Sequence, residues 1–550
     1  MSHFLSNEET LRRLYRMQYI SLTRKGATIQ EIPLEPDEGR RILKSLIRAD
    51  FVQAQRNIED DEGSRSNKLS SAFAAFYEKN LDKAQITEDS VAVIDKNNEL
   101  LTDHYKKAFV PLIGIIQALG IPSAHDRSLR LISSLSAETA LKGSTELMYV
   151  DTSSMHELPE AYNGLGFKNM VYIAVQLSHY HSQWLNTPVD RPLCQIIFIE
   201  EPEVHLHAQV QQAFISNVWR VLNKTSNDIS LTPQMVVTTH SSHILDAVDF
   251  SKVRYFKRCE LAGEDRKTVR ILNASKVLNL ASFMPAASES DPDSAIALKF
   301  LQKYLKLTHC DLFFADAAIL VEGTVEKLLL PSMIARSAQE LQSRYLTVLE
   351  VGGAYAHRFD ELLAFIEIPY LVITDVDSVD PSNNRTICRC DTPGAVTSNS
   401  SLKSFFNMKK ISDLTALTAD SNIQKGGSRY VAFQKPVDLT RSGLSQKVHG
   451  RTFEETFVYE NASLIDRSVL DVGIALPANF AETYQHVYEI VKDSSFKKTE
   501  FALSVLASDS EWMVPTYIHG GLQWLAKRMA ETPVPPTRLS SMSEATENGQ

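Results

Sequence analysis

Three carboxylates in the second half of the chain stand where a divalent cation can be held. Ala318-Ile319-Leu320-Val321 is an apolar run that ends in Glu322-Gly323, with Glu326 one helical turn further on. Tyr370-Leu371-Val372-Ile373-Thr374 ends in Asp375-Val376-Asp377, and between these runs Leu349-Glu350-Val351 ends in Gly352-Gly353. Read as parallel strands, the runs bring Glu322, Asp375 and Asp377 to one sheet edge, where ligands of such sheets collect. Carboxylates crowded there repel one another unless a cation neutralises them, and oxygen ligands suit Mg²⁺ or Mn²⁺. The plainer reading is three unrelated acids at strand ends; the spacing and both glycines weigh against it.

A second set lies upstream. Ile196-Ile197-Phe198-Ile199 reads as a buried strand ending in Glu200-Glu201-Pro202. One such carboxylate can hold Mg²⁺ through water while the next orients an attacking water. Met235-Val236-Val237-Thr238-Thr239 reads as another buried strand, ending in His240-Ser241. Gly164 and Gly166, in Asn163-Gly164-Leu165-Gly166, open a helix whose N-terminus suits phosphate. Taken singly, the Glu-Glu-Pro run is a surface turn and the glycines a helix entry; their shared order favours chemistry. His205, His207, His240 and His243 could be counted as a metal set, but they are better read as parts of these strand ends. His179 and His181 are expected on a helix surface.

The Glu-Glu-Pro and His-Ser strand ends resemble the Walker B strand and switch histidine of ABC-type ATPases, and Asn163–Gly166 resembles their signature loop. Glu200 stands where many of these carry Asp. The Glu, Gly-Gly, Asp-x-Asp order resembles a Toprim domain. Downstream, Thr397-Ser398-Asn399-Ser400-Ser401-Leu402-Lys403, Gly450-Arg451-Thr452-Phe453-Glu454-Glu455 and Lys498-Thr499-Glu500-Phe501-Ala502 follow in order. From about Glu146 to Leu525 the chain thus resembles the OLD (overcoming lysogenization defect) family of ATP-dependent endonucleases. The resemblance implies DNA cleavage with two Mg²⁺ or Mn²⁺ ions. The ligands would be Glu322, Glu326, Asp375, Asp377 and Glu454, with Glu455 the alternative to Glu454, and Lys498 the cation opposing transition-state charge. Gly164, Gly166, Glu200, Glu201 and His240 would form the ATPase set.

One element is missing. A P-loop needs GxxxxGK[ST], and no Gly-Lys dipeptide occurs in the chain. The ATPase half is therefore expected to bind ATP weakly and to serve dimerisation or regulation; either the chain is truncated or another subunit supplies the P-loop lobe, and a helicase is the other candidate partner. The rival readings are a non-catalytic scaffold binding DNA or a partner, and another Toprim enzyme.

The elements that must position these residues divide the chain. An α/β fold is expected, with a helical region at 1–145, an ABC-type C-terminal lobe at 146–306, a Toprim domain at 307–532 and a disordered tail at 533–550. Within the first region, Ser6–Glu9 has capping-box spacing and Ile42, Leu43, Leu46 and Ile47 recur at helical spacing, as do Leu69, Phe73 and Phe76. A helix is expected across Asn98–Leu119, kinked at Pro111. A strand pair with connecting helices is expected over Ser251–Lys306.

Composition sets the limits. The chain has 550 residues and a net charge of −10, which by itself argues against nucleic acid as partner. Its distribution argues otherwise, because Ser382–Arg451 carries eleven Lys/Arg against four Asp. Arg385, Lys403, Lys409, Lys410 and Arg451 in this block are the candidate DNA contacts. No apolar run reaches the roughly 20 residues of a membrane helix. Five cysteines are an odd number, so a disulfide framework is not expected, and the cytoplasm is the default compartment.

Overall fold

The computed structural model describes residues 17–54 (except 27), 91–118, 127–134, 146–151, 157–159, 164–224 (except 188), 232–262, 272–283, 299, 301, 303–304, 310–352, 356–531 and 537–538. They fall into two units, 1–249 and 250–550.

In the first unit, β1 (Tyr19–Lys25) and β2 (Thr28–Leu34) form an antiparallel hairpin, turning where Gly26 adopts φ 65°. The helix Pro36–Leu46 starts on a proline and leads into β3 (Ile47–Val52). The expected helical region is present in Pro36–Leu46, Val91–Ala108 and Val110–Ala118, but β1 to β3 and β4 (Arg127–Ile132) correct the rest. Their alternation, as in Thr28-Ile29-Gln30-Glu31-Ile32, has the two-residue period of a strand. Ile47 accordingly leaves the helical set and begins β3. The long helix breaks between Ala108 and Val110, just ahead of Pro111, which has no N–H to donate. Ser6–Glu9 and Leu69, Phe73 and Phe76 lie outside the described residues.

β5 (Glu146–Asp151) pairs with β4 and with β6 (Glu157–Pro159). The helix Leu165–Leu185, β7 (Cys194–Glu200), the helix Ala208–Lys224 and β8 (Gln234–Thr238) follow in the expected order. β7 lies between β3 and β8, parallel to both. Helices cover one face, where Ile197 and Ile199 pack with Met170, Ile173 and Phe214. On the other face Phe51 stacks on Phe198 at 4.8 Å, and Phe51 and Val236 are 51% and 42% exposed. The runs read as fully buried strands are therefore buried on one side only.

The second unit begins with β9 (Arg254–Ala262) antiparallel to β10 (Leu272–Asn279), the expected strand pair. Then come β11 (Ala317–Val321), β12 (Leu346–Glu350), β13 (Tyr370–Ile373), β14 (Ser378–Asp380), β15 (Thr386–Ile387), β16 (Val396–Thr397), β17 (Ile423–Gln424), β18 (Arg429–Ala432), β19 (Val437–Arg441) and β20 (Leu444–Val448). The main sheet runs β12-β11-β13-β18-β17, with its first four strands parallel and β17 an antiparallel edge. β14 pairs with β15 and β16, and β19 with β20 forms a hairpin. β11, β13 and β18 are buried throughout; β11 and β13 are the unbroken apolar runs expected of parallel strands covered on both faces, while β18 also buries Arg429. The helices Thr324–Ser337, Phe453–Glu460, Lys498–Ala507 and Thr516–Glu531 close the core through Leu329, Phe457, Phe501 and Leu522. In the tail only Thr537–Arg538 is described, pairing in parallel with β9; the rest of that expected disordered segment lies outside the described residues.

Candidate functional site

The ends of β11, β13 and β18 place the acidic cluster. Glu322 follows β11 directly, and its Oε2 accepts hydrogen bonds from Thr374 Oγ1 and the Asp375 amide, both at 2.8 Å. Asp375 Oδ1 accepts from Gln434 Nε2 at 2.6 Å. Asp377 sits at φ 50°, a left-handed conformation that aspartate tolerates better than most residues, and its Oδ1 meets Arg451 Nη2 at 2.9 Å. Glu326 turns back so that Oε2 accepts the Gly323 amide at 3.1 Å. Glu454 pairs with Lys498 Nζ at 2.9 Å, while Glu455 accepts the Arg451 amide at 3.0 Å. Of the two candidates left open by the sequence, Glu454 is the one facing Lys498.

Burial and mutual repulsion set the charge states. Burial raises Glu322, with Asp377 adding to it, and raises Asp375 well above the ordinary carboxylate range, with Glu322 adding to it. Burial, then the Glu454 charge, pushes Glu326 up to about 7. Burial pushes Glu455 up to about 8. Asp377 is raised by burial, against the pull of Arg451 and Lys498. Burial would lower Lys498, but Glu454 and Asp375 outweigh it and the ammonium is held charged.

The residues fit a divalent cation in one telling respect. Glu454 Oε2 and Glu455 Oε1 are buried without a hydrogen-bond partner, an expensive condition for a carboxylate oxygen unless a cation meets it. Among the described residues no three acidic, histidine or cysteine side chains already converge at ligating distance. Arg451 and Lys498 hold two of the carboxylates meanwhile. Arg451, expected to contact DNA, is buried and pairs with Asp377.

Two supporting residues were not assigned roles from sequence. Asn399 donates to Thr374 Oγ1 and the Asp375 carbonyl at 2.7 and 2.9 Å, and caps the helix Ser400–Phe406. Gln434 braces Asp375 and accepts the Val376 amide at 2.8 Å. Gln434 stands just past β18, the same strand-end position that marked the acids.

In the first unit, Glu200 Oε2 accepts the Ala54 amide at 3.3 Å, and Glu201, at φ 41°, lies 3.5 Å from His240 Nε2. Gln53, also unassigned from sequence, follows β3 on this same edge. Gly166 is pressed against the loop after β7: a Cβ there would lie 2.3 Å from the His205 carbonyl oxygen. Asn169 from the same helix donates to the Val204 carbonyl at 2.7 Å. No such approach constrains Gly164. His205, His207, His240 and His243 are exposed, and among the described residues they form no metal cluster. His181 corrects its expected surface position: it is buried, its Nδ1 3.2 Å from Gln195 Oε1, and burial lowers its pKa. His179 is half-buried and meets Gln183 Nε2 at 2.7 Å.

Much of the basic block is spent inside the domain. Arg429 and Lys425 pair with Asp360, Arg441 with Asp466 and Arg389 with Asp391. Lys435 donates to the Leu414 carbonyl. Arg385, Lys409 and Lys410 are exposed, and half-buried Lys403 donates to the Ser398 carbonyl at 2.7 Å. Lys403 is lowered by burial and by the neighbouring charges of Arg385 and Lys409, so these cations share one patch.

Fold and site together define an ATPase-type domain followed by a Toprim domain. Residues 5–245 match the model of an AAA ATPase domain, and residues 313–377 that of the overcoming lysogenization defect protein-like TOPRIM domain. In the order of these two matches the chain resembles the OLD-type nucleases, an ATPase domain followed by an OLD-like TOPRIM domain. Endonuclease GajA of Bacillus cereus (strain HuB5-5) is 26% identical over 513 residues, covering 88% of this chain and 70% of that protein. Endonuclease GajA of strain VD045 is 26% identical over 182 residues, 33% of this chain and 26% of that protein. The solved C-terminal region of the Xanthomonas campestris pv. campestris OLD protein is 19% identical, covering 40% of this chain and 96% of that one at a TM-score of 0.24. That of Burkholderia pseudomallei is 19% identical, covering 39% and 99%, also at 0.24. Likenesses this loose carry no mechanistic weight.

Proposed function

We propose that the chain is a metal-dependent DNA endonuclease whose chemistry lies in the Toprim domain. The observation that carries this reading is the cluster of buried Glu326, Asp375, Glu454 and Glu455 with half-buried Glu322 and Asp377, in which, among the described residues, Arg451 and Lys498 are the cations paired with these carboxylates. Six carboxylates against two cations leave a formal excess of four negative charges, which two divalent ions would cancel. Glu322, Glu326, Asp375, Asp377 and Glu454 would hold Mg²⁺ or Mn²⁺, which supplies an activated water and Lewis-acid stabilisation of the leaving oxygen. Lys498, freed from Glu454, would place its ammonium against charge developing on the phosphate. Arg451 would fix the Asp377 carboxylate, with Gln434 and Asn399 bracing the Asp375 segment. The patch of Arg385, Lys409 and Lys410, with Lys403 beside it, would hold the DNA backbone.

The first unit would bind nucleotide weakly and act in dimerisation or regulation, with the phosphate grip supplied by another subunit. Glu200, Glu201 and His240 would then act on nucleotide held by that lobe, with Gly164 and Gly166 contributing the helix entry.

The test uses the EDTA-treated, metal-repleted protein on supercoiled plasmid. Asp377→Ala should lower nicking by at least about 100-fold, since it removes a charged ligand and strands Arg451. Undiminished nicking by that variant would remove the Toprim site from the reaction. No metal-dependent nicking by the parent protein would favour the scaffold reading.

A further inference from the structure

A cavity of about 500 Å³ opens beside the carboxylate site, between the segment Cys390–Ala395, the helix Ile411–Thr415 and the end of β20. Its apolar walls are Pro393, Pro436, Ile411, Val448 and the ring of Tyr484. Arg389 lies over the Tyr484 ring at 4.4 Å, which holds that ring as a fixed platform. Ser412, Thr415 and His449 add hydrogen-bonding groups at the margin. The charges nearby are already matched. Asp391 takes two hydrogen bonds from Arg389, at 3.0 and 2.8 Å, and rim Lys447 lies 4.0 Å from Asp438. A site with planar apolar walls, neutral donors and acceptors and matched charges suits an uncharged heteroaromatic ring.

Two connections tie the cavity to the acids. Cys390 Sγ reaches the Gly450 carbonyl at 3.5 Å, next to the Arg451 that pairs with Asp377. His449 Nε2 lies 3.0 Å from the carbonyl of Gln434, whose side chain braces Asp375. At the cavity's other side, exposed Lys409 and Lys410 immediately precede Ile411, so a phosphate attached to the ring would find cations. A nucleotide carries both groups.

We propose that this cavity receives one unpaired nucleobase of the DNA strand, a reading that rests on the nuclease function above. Enzymes that draw a base from the stack gain selectivity for sites where unpairing is easy. The nuclease would thus prefer a particular position relative to a weakly paired or distorted base.

The experiment uses the full chain in EDTA and duplexes carrying, at successive positions around the mapped nick, either one mismatched base or one abasic site, so that neither has a base pair to break there; the abasic profile is the ratio of the two affinities. Base stacking in a protein site is worth about 5- to 150-fold in affinity, so at one position the abasic duplex should bind more weakly than the mismatched one by a factor of that size. Ser412→Trp, which fills the cavity from an exposed rim position, should weaken intact duplex by a similar factor and erase the positional effect. Thr415→Phe fills it from one turn further along the same helix in case the first variant melts early. A flat abasic profile in the parent protein overturns the proposal, as does a profile retained in both variants. Deoxynucleoside monophosphates are titrated in parallel. Their binding, lost in Ser412→Trp while DNA binding is unchanged, would overturn the DNA source and assign the cavity to free nucleotide. Failure of the parent chain to bind or nick any DNA would instead bring down the nuclease reading, and this one with it.

Discussion

At the scale of single residues, the acidic cluster makes stability depend on pH in an unusual direction. Buried Glu326 and Glu455 have folded-state values of about 7 and about 8 against an ordinary 4.5. A carboxyl raised in the folded state holds a proton that the unfolded chain has released. Its contribution to stability is complete below about 4.5 and is lost as pH climbs through 7 to 8. The melting temperature of EDTA-treated protein should therefore fall between pH 5 and 8.5. Added Mg²⁺ should raise it most at the alkaline end, where the carboxylates are free to bind. Thermal melts with and without the ion measure this directly. A melting temperature that ignores both pH and Mg²⁺ would mean that Arg451 and Lys498 already satisfy the cluster.

At the scale of elements, the helix Leu165–Leu185 is held to the loop after β7 by backbone proximity. Gly166→Ala puts a methyl 2.3 Å from the His205 carbonyl oxygen, so it should destabilise the chain by about 1–3 kcal/mol in urea unfolding. Gly164→Ala meets nothing within 4 Å and should cost under about 1 kcal/mol. Equal costs would show that the backbone approach to His205 relaxes freely. The basic patch is a second element with its own test. Charge reversal at Arg385, Lys409 and Lys410 should weaken DNA binding. It should also flatten the dependence of log affinity on log salt by about 0.9 for each phosphate that is no longer neutralised. Unchanged affinity would make the patch a solvated surface. Lys403 is a poor choice for this test, because its ammonium is half-buried against Ser398.

At the scale of the whole molecule, two units have unequal equipment. The second contains its own acidic cluster and, as the nuclease proposed above, would need only metal and DNA. The first has Glu201 and His240 at a sheet edge, but no GxxxxGK[ST] to grip a triphosphate. The purified chain should therefore turn over ATP slowly, and nicking should persist without nucleotide. Robust turnover abolished by Glu201→Gln would reveal a phosphate-gripping loop of another kind.

The sequence by itself determined the strand ends. An apolar run that stops abruptly at Glu322, at Asp375-Val376-Asp377 or at Glu200-Glu201 leaves its polar residues only one place to go, the edge of a parallel sheet. That is local information, and β7, β8, β11, β12 and β13 appear where those runs lie. The strands β1 to β4 were harder to see, because their apolar residues are sparse and mixed with helix-compatible ones. What only the tertiary structure decided is which distant groups meet. Glu454 rather than Glu455 faces Lys498, Arg451 is drawn inward to Asp377, and Gln434 braces Asp375 across 59 residues of chain. The same holds for His181, which a helical pattern put at the surface and packing against Gln195 buried. Charge partners and burial depend on contacts between segments far apart in the chain, and no spacing along one segment encodes them.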